Sequence, residues 1–86
     1  GNYPNPFNGE TIISYFIPND SFVNVSIFNL AGQFITNLVN NYQIHGEQKI
    51  FWDTKDATGN HVPSGIYYYV VSNGKYKEVR TMTLLK

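Results

Sequence analysis

From Thr11 to Leu85, every apolar run is cut by Gly, Pro, Asn or Asp before it reaches helical length. A helix needs apolar residues recurring at three- and four-residue spacing over several turns, and no stretch supplies them. Ala, the best helix former, occurs only as Ala31 and Ala57. Seven Tyr, six Phe and one Trp make 16% of the chain aromatic. Aromatic and β-branched residues suit a pleated, half-buried surface. The reading is all-β, and 86 residues are enough for one domain.

Individual strands follow from period-two alternation. In residues 11–17, Ile13, Tyr15 and Ile17 share one face while Ile12 and Phe16 take the other. Pro18 lacks a donor and ends the run, and Asn19-Asp20-Ser21 turns the chain. Residues 22–28 put Val23, Val25 and Ile27 on one face, with Asn24 and Ser26 opposite. Leu30-Ala31-Gly32 makes a short connection, because Gly32 tolerates positive φ. A third strand over 33–39 carries Phe34, Ile35 and Leu38, and Asn40-Asn41-Tyr42-Gln43 reads as a loop. Residues 46–53 place Ile50 and Trp52 on one face, Lys49 and Phe51 on the other. After a loop over 54–64, the nearly continuous apolar run 65–71 predicts a central strand covered on both sides. Asn73-Gly74 predicts a two-residue type I′ hairpin, returning residues 75–85 antiparallel. Six or seven strands at this spacing predict an antiparallel sandwich. Its core is expected to hold Ile13, Tyr15, Val23, Val25, Ile27, Leu38, Ile50, Trp52, Tyr67 and Tyr69.

Six bases balance six acids, so there is no net field to attract nucleic acid or an anionic membrane. All six bases nevertheless lie between Lys49 and Lys86. Lys75, Lys77, Arg80 and Lys86 crowd the last strand against Glu78. Such charges suit an edge strand guarded against sheet-to-sheet pairing, or a docking surface. Without Cys there is neither a disulfide nor a thiolate metal site. No run approaches the roughly 20 apolar residues of a membrane span. No leader opens the chain, so a signal peptide is expected on a parent chain upstream.

No catalytic arrangement emerges. His45 and His61 are the two imidazoles, and no nucleophile elbow accompanies them. No enzyme activity and no cofactor are expected. Asp53, Asp56 and Asn60 could offer oxygens to Ca²⁺, but a hard cation wants six or more. Loop Asp and Asn more often bond nearby backbone amides, which is the expectation here. Exposed aromatics could stack on sugar rings. Trp52 and the Tyr67-Tyr68-Tyr69 run read as core, leaving Phe16, Phe51 and Tyr68 as carbohydrate candidates.

The opening Asn2-Tyr3-Pro4-Asn5-Pro6-Phe7-Asn8 stands apart. Its prolines remove two donors and push Tyr3 and Asn5 out of the helical region. The segment must be extended, with Tyr3 and Phe7 free to act as packing anchors. Residues 1–10 therefore read as a stiff lead-in from an upstream domain, and 11–86 as the sandwich. This opening resembles that of the C-terminal sorting domains of the type IX secretion system. The resemblance continues through Val23-x-Val25-x-Ile27, Gly32, Trp52-Asp53, Asp56, Gly59, Pro63-Ser64-Gly65 and Tyr67 to the close Arg80–Lys86. One position departs, because the residue after Trp52-Asp53 is usually Gly in that pattern and is Thr54 here. The same signatures are similar to the immunoglobulin-like domain of flagellar hook-capping proteins.

The resemblance implies an immunoglobulin-like β-sandwich that addresses a larger cargo protein for export. The implied partners are the cargo domain upstream, the type IX machinery of the outer membrane and a sortase-like protease. The implied destination is the cell surface or medium, by way of the periplasm, with attachment to surface lipopolysaccharide. The last residues are the part such machinery needs. Lys77, Arg80, Thr81, Met82, Thr83, Leu84, Leu85 and Lys86 are thus the expected recognition residues. Two other readings stand beside this one: a passive spacer or assembly module, and a carbohydrate-binding module appended to a secreted enzyme.

Overall fold

The computed structural model describes residues 1–86. Its seven strands are β1 (Asn2–Tyr3), β2 (Thr11–Ile17), β3 (Ser21–Asn29), β4 (Phe34–Gln43), β5 (Gly46–Trp52), β6 (Gly65–Ser72) and β7 (Lys77–Leu84). They form two antiparallel sheets, one ordered β1-β2-β5 and the other β4-β3-β6-β7. The expected all-β sandwich is the observed fold.

Alternation explains the core. Ile13, Tyr15 and Ile17 of β2 face Val23, Val25 and Ile27 of β3 across the sandwich, and all six are buried. Trp52, Tyr67, Tyr69, Val71, Met82 and Leu84 complete the inner faces, while Leu38 and Ile50 pack at its margin. Burial of these apolar faces supplies most of the driving force, at about 25 cal/mol per Å².

Three sequence expectations need correction. Residues 40–43 are strand, pairing with Ser21 to Asn24, instead of a loop. Their low intrinsic β preference is outweighed by tertiary contacts: across the strand pair Asn24 Nδ2 donates to Asn40 Oδ1 at 3.3 Å, and from the other sheet Tyr15 Oη donates to Gln43 Oε1 at 2.8 Å. The β6 run is central in its sheet but covered on one side. Tyr67, Tyr69 and Val71 are buried, whereas Tyr68 and Val70 are half-buried on the outer face. The turn after β6 spans four residues, with Ser72 opposite Lys77. Asn73 Oδ1 accepts the amides of Tyr76 at 2.8 Å and Lys75 at 3.3 Å. This side-chain turn keeps Asn73 out of the left-handed region, and Gly74 alone takes positive φ, +93°.

Residues 1–10 are built into the sandwich. β1 pairs with β2, Asn2 opposite Ile13 and Tyr3 opposite Ile12. Both prolines follow cis peptide bonds. Of the two expected anchors, Phe7 is buried, whereas Tyr3 is 80% exposed. Tyr3 lies on the outer face in a row with Ile12 and Phe51, where no element covers it.

Candidate recognition site at the last strand

The opening and closing segments meet. Phe7 forms a parallel bridge with Leu84, its amide donating to Thr83 O at 3.0 Å and its carbonyl accepting from Leu85 N at 2.8 Å. Asn5 Oδ1 accepts the amide of Thr83 at 3.0 Å. The Phe7 ring packs edge-on against Trp52 at 5.9 Å, and Trp52 packs in the same way against Tyr67 at 5.6 Å. Trp52 Nε1 donates to Lys55 O at 3.0 Å, and Tyr67 Oη to Pro63 O at 2.6 Å. At the terminus, Lys86 N donates to Ser64 Oγ at 2.9 Å and Lys86 Nζ to the carbonyl of Val62. Asn2 Nδ2 and Thr11 Oγ1 both donate to Pro4 O, at 3.2 and 2.9 Å. Asn2, Pro4, Asn5, Phe7, Trp52, Pro63 and Tyr67 therefore converge on one end of the sandwich. Pro6 and Asn8 border Phe7 and Leu85 at the surface there.

The remaining motif residues shape turns. Gly32 has φ +84° in the β3–β4 connection, and its amide donates to Asn29 O at 2.9 Å. Asp53 Oδ1 accepts from Lys55 N at 3.1 Å. Gly59 lies in the loop organised by Asp56, and Gly65 opens β6. Thr54, where the motif usually has Gly, is buried with φ +67°. A β-branched residue is rare at such an angle. Its hydroxyl lies 3.1 Å from His61 Nδ1, which gives the side chain a local partner.

The expected recognition residues divide by exposure. Met82 and Leu84 are fully buried, while Lys77, Arg80, Thr81, Leu85 and Lys86 are exposed and Thr83 is half-buried. Recognition of the folded domain thus has the exposed set to work with. Arg80 Nε donates to Glu78 Oε2 at 2.9 Å. That hydrogen bond, more than the charge of Glu78, raises the already high Arg80 pKa. Beneath this pair lies Tyr69, whose hydroxyl is buried without a hydrogen-bond partner. Burial, reinforced by the Glu78 carboxylate, pushes its pKa up.

Asp53, Asp56 and Asn60 each make hydrogen bonds within their own loop. Asp56 Oδ1 accepts from Thr58 Oγ1, Thr58 N and Asn60 N at 2.7, 2.9 and 3.0 Å. The Thr58 hydroxyl leads in holding the Asp56 pKa below its ordinary value. No cluster of three or more His, Cys, Asp or Glu that could hold a metal forms. The sugar candidates are separated. Phe16 and Phe51 lie on the outer face of the three-stranded sheet, 60% and 49% exposed. Tyr68 lies on the opposite side of the molecule, stacked on Phe28 with ring centres 5.3 Å apart.

Sequence reasoning missed Asn5 as an edge cap, although an Asn beside a proline-stiffened segment was the available signal.

Residues 2–84 match the family described as the secretion system C-terminal sorting domain. The chain belongs to that family. Among curated proteins no sequence matches. Solved structures share the fold. Dimeric latent PorU of Porphyromonas gingivalis superposes with a TM-score of 0.77 at 22% identity, over 99% of this chain and 9% of PorU. PorZ of the same organism, a surface component of its type IX secretion system, gives 0.67 at 22%, over 100% and 11%. FlgD of P. aeruginosa gives 0.67 at 24%, over 86% and 59%. This chain thus spans a small part of PorU and PorZ and about three-fifths of FlgD. No helix is long and apolar enough to cross a membrane.

Proposed function

We propose that this domain is the address by which a larger cargo protein is carried across an outer membrane by a type IX secretion system, passing through the periplasm to the surface or medium. The family match over residues 2–84 carries the reading. The domain acts by being bound, without catalysis of its own. Its recognition residues are the exposed Lys77, Arg80, Thr81, Leu85 and Lys86 with the half-buried Thr83, while Met82 and Leu84 hold that strand in place. Removal by a sortase-like protease and joining of the cargo to surface lipopolysaccharide complete the proposal.

The test fuses residues 1–86 to a periplasmic fluorescent protein in a host with type IX secretion. Export of the fusion, lost in a translocon-deficient strain and on deletion of residues 80–86, is the expected result. Periplasmic retention of a folded fusion would instead make the domain a structural module.

A further inference from the structure

Four strands end a sheet: β1, β4, β5 and β7. β5 pairs with β2 in unbroken register, but its Glu47 and Lys49 carry one charge of each sign. The edge of β7, by contrast, is regular, open and flanked by bases. β4 is an edge too, but its pairing with β3 is broken by two register shifts, which twist such an edge away from partners. β1 is two residues long. β7 pairs with β6 in unbroken register from Lys77 to Leu84, and no strand lies on its other side. Thr83 turns both its amide and its carbonyl outward, to Asn5 Oδ1 and Phe7 N. Alternation then aims the amides and carbonyls of Lys77, Val79 and Thr81 the same way, where nothing pairs with them. The last turn of this edge already holds an extended segment, the Asn5–Phe7 stretch of the chain itself. The rest is vacant.

Charge decides what can fill it. Lys75 and Lys77 are exposed at the near end, and Lys86 at the far end. Glu78 and Arg80 point to the inner side and engage each other. A second copy added in parallel would set Lys75 and Lys77 against their own counterparts, which like-charge repulsion opposes. An antiparallel copy centred on Val79 would set Lys77 against Thr81, with no opposite charge to hold it. A strand carrying acids beside Lys75 and Lys77 would be drawn in.

Resting on the sorting reading, we propose that the secretion machinery grips this domain by strand addition. An extended, acidic segment of the partner pairs with the free edge of β7 at Lys77, Val79 and Thr81. Main-chain hydrogen bonds supply affinity, and the flanking lysines supply orientation and selectivity.

The experiment has two arms. In the first, Val79→Pro is placed in the exported fusion. Proline is tolerated on an edge where its nitrogen faces solvent, so the domain should stay folded while the strand site is blocked. Export should fall about tenfold or more. Export equal to the unaltered fusion would overturn the proposal while leaving the sorting reading intact. The second arm uses the unaltered domain and a short soluble peptide alternating valine with glutamate, followed by amide NMR. Shifts confined to Lys77, Val79, Thr81 and their neighbours are expected, with a valine–lysine peptide binding about tenfold more weakly. Absence of shifts at these amides, or equal binding of both peptides, would overturn it. This arm decides the matter even if Val79→Pro unfolds. Retention of the unaltered fusion would count against the sorting reading alone.

Discussion

Tyr69 is the residue at which this core is least well satisfied. Its ring is fully buried between β3 and β7, yet its hydroxyl has no hydrogen-bond partner. An unpaired buried hydroxyl costs roughly 1–3 kcal/mol of desolvation, and an isosteric apolar replacement removes that cost. Tyr69→Phe should therefore stabilise the domain by about 1 kcal/mol, read as a higher urea midpoint at unchanged slope. A loss of more than that would mean that the hydroxyl has a role the fold does not display. Thr54 is the contrasting case, a strained position whose oddity could be read in advance. The motif's preference for Gly identified the site, and φ +67° supplies the reason. Asn73 could not be read so directly. Asn-Gly has a strong two-residue turn preference, but whether the Asn side chain accepts the next amides is a local competition that sequence does not settle.

Among the elements, β2, β3 and β5 were legible because alternation over a buried face leaves one workable register. The continuous apolar run of β6, by contrast, marked a central strand without showing that one of its faces is open. Leu38 and Ile35, by contrast, sit on a strand with two register shifts, and period-two reasoning fails wherever an extra residue is inserted. The Asn-rich end of β4 was invisible for a related reason, since its strand character comes from the partner it pairs with. Least legible of all was the contact between the opening segment and β7. Asn5 and Thr83 are 78 residues apart, and no local signal reports such a meeting. Its energetics can be divided by substitution. Asn5→Ala removes one hydrogen bond to an edge amide and should cost about 1 kcal/mol. Phe7→Ala leaves a cavity beside Trp52 and should cost about 3–5 kcal/mol, a large share of a small domain's stability. Thermal denaturation of the two variants checks the ranking, and equal losses would refute it.

At the scale of the whole molecule, two carboxylates fasten loops instead of elements. Asp56 organises residues 56–60, and Asp20 accepts the amide and ring nitrogen of His45 at 2.8 and 2.7 Å, joining the β2–β3 and β4–β5 turns. Both have pKa values lowered in the fold, Asp20 chiefly by the His45 backbone amide and Asp56 chiefly by the Thr58 hydroxyl. A lowered carboxylate stabilises the fold at pH above its ordinary value, about 4, and that contribution is lost as pH falls below it. The melting temperature should accordingly hold through neutral pH and fall on acidification below about pH 4. Asp56→Asn should lower it at neutral pH and flatten the acid limb, which a pH series of melts would record.

The pairing of Phe7 with the Thr83–Leu85 stretch also sets a timetable. A fold whose first core ring is locked by its last strand cannot close from one end while the other is still being made. Residues 2–72 have β6 exposed on one side and Phe7 without its partner strand, so synthesis of β7 is the event that completes both. Long-range closure of this kind is slow compared with local structure, because the loop entropy must be overcome before any contact rewards it. The domain consequently remains open for as long as its final strand is missing, and its folded shape certifies that the chain has been read through to that strand.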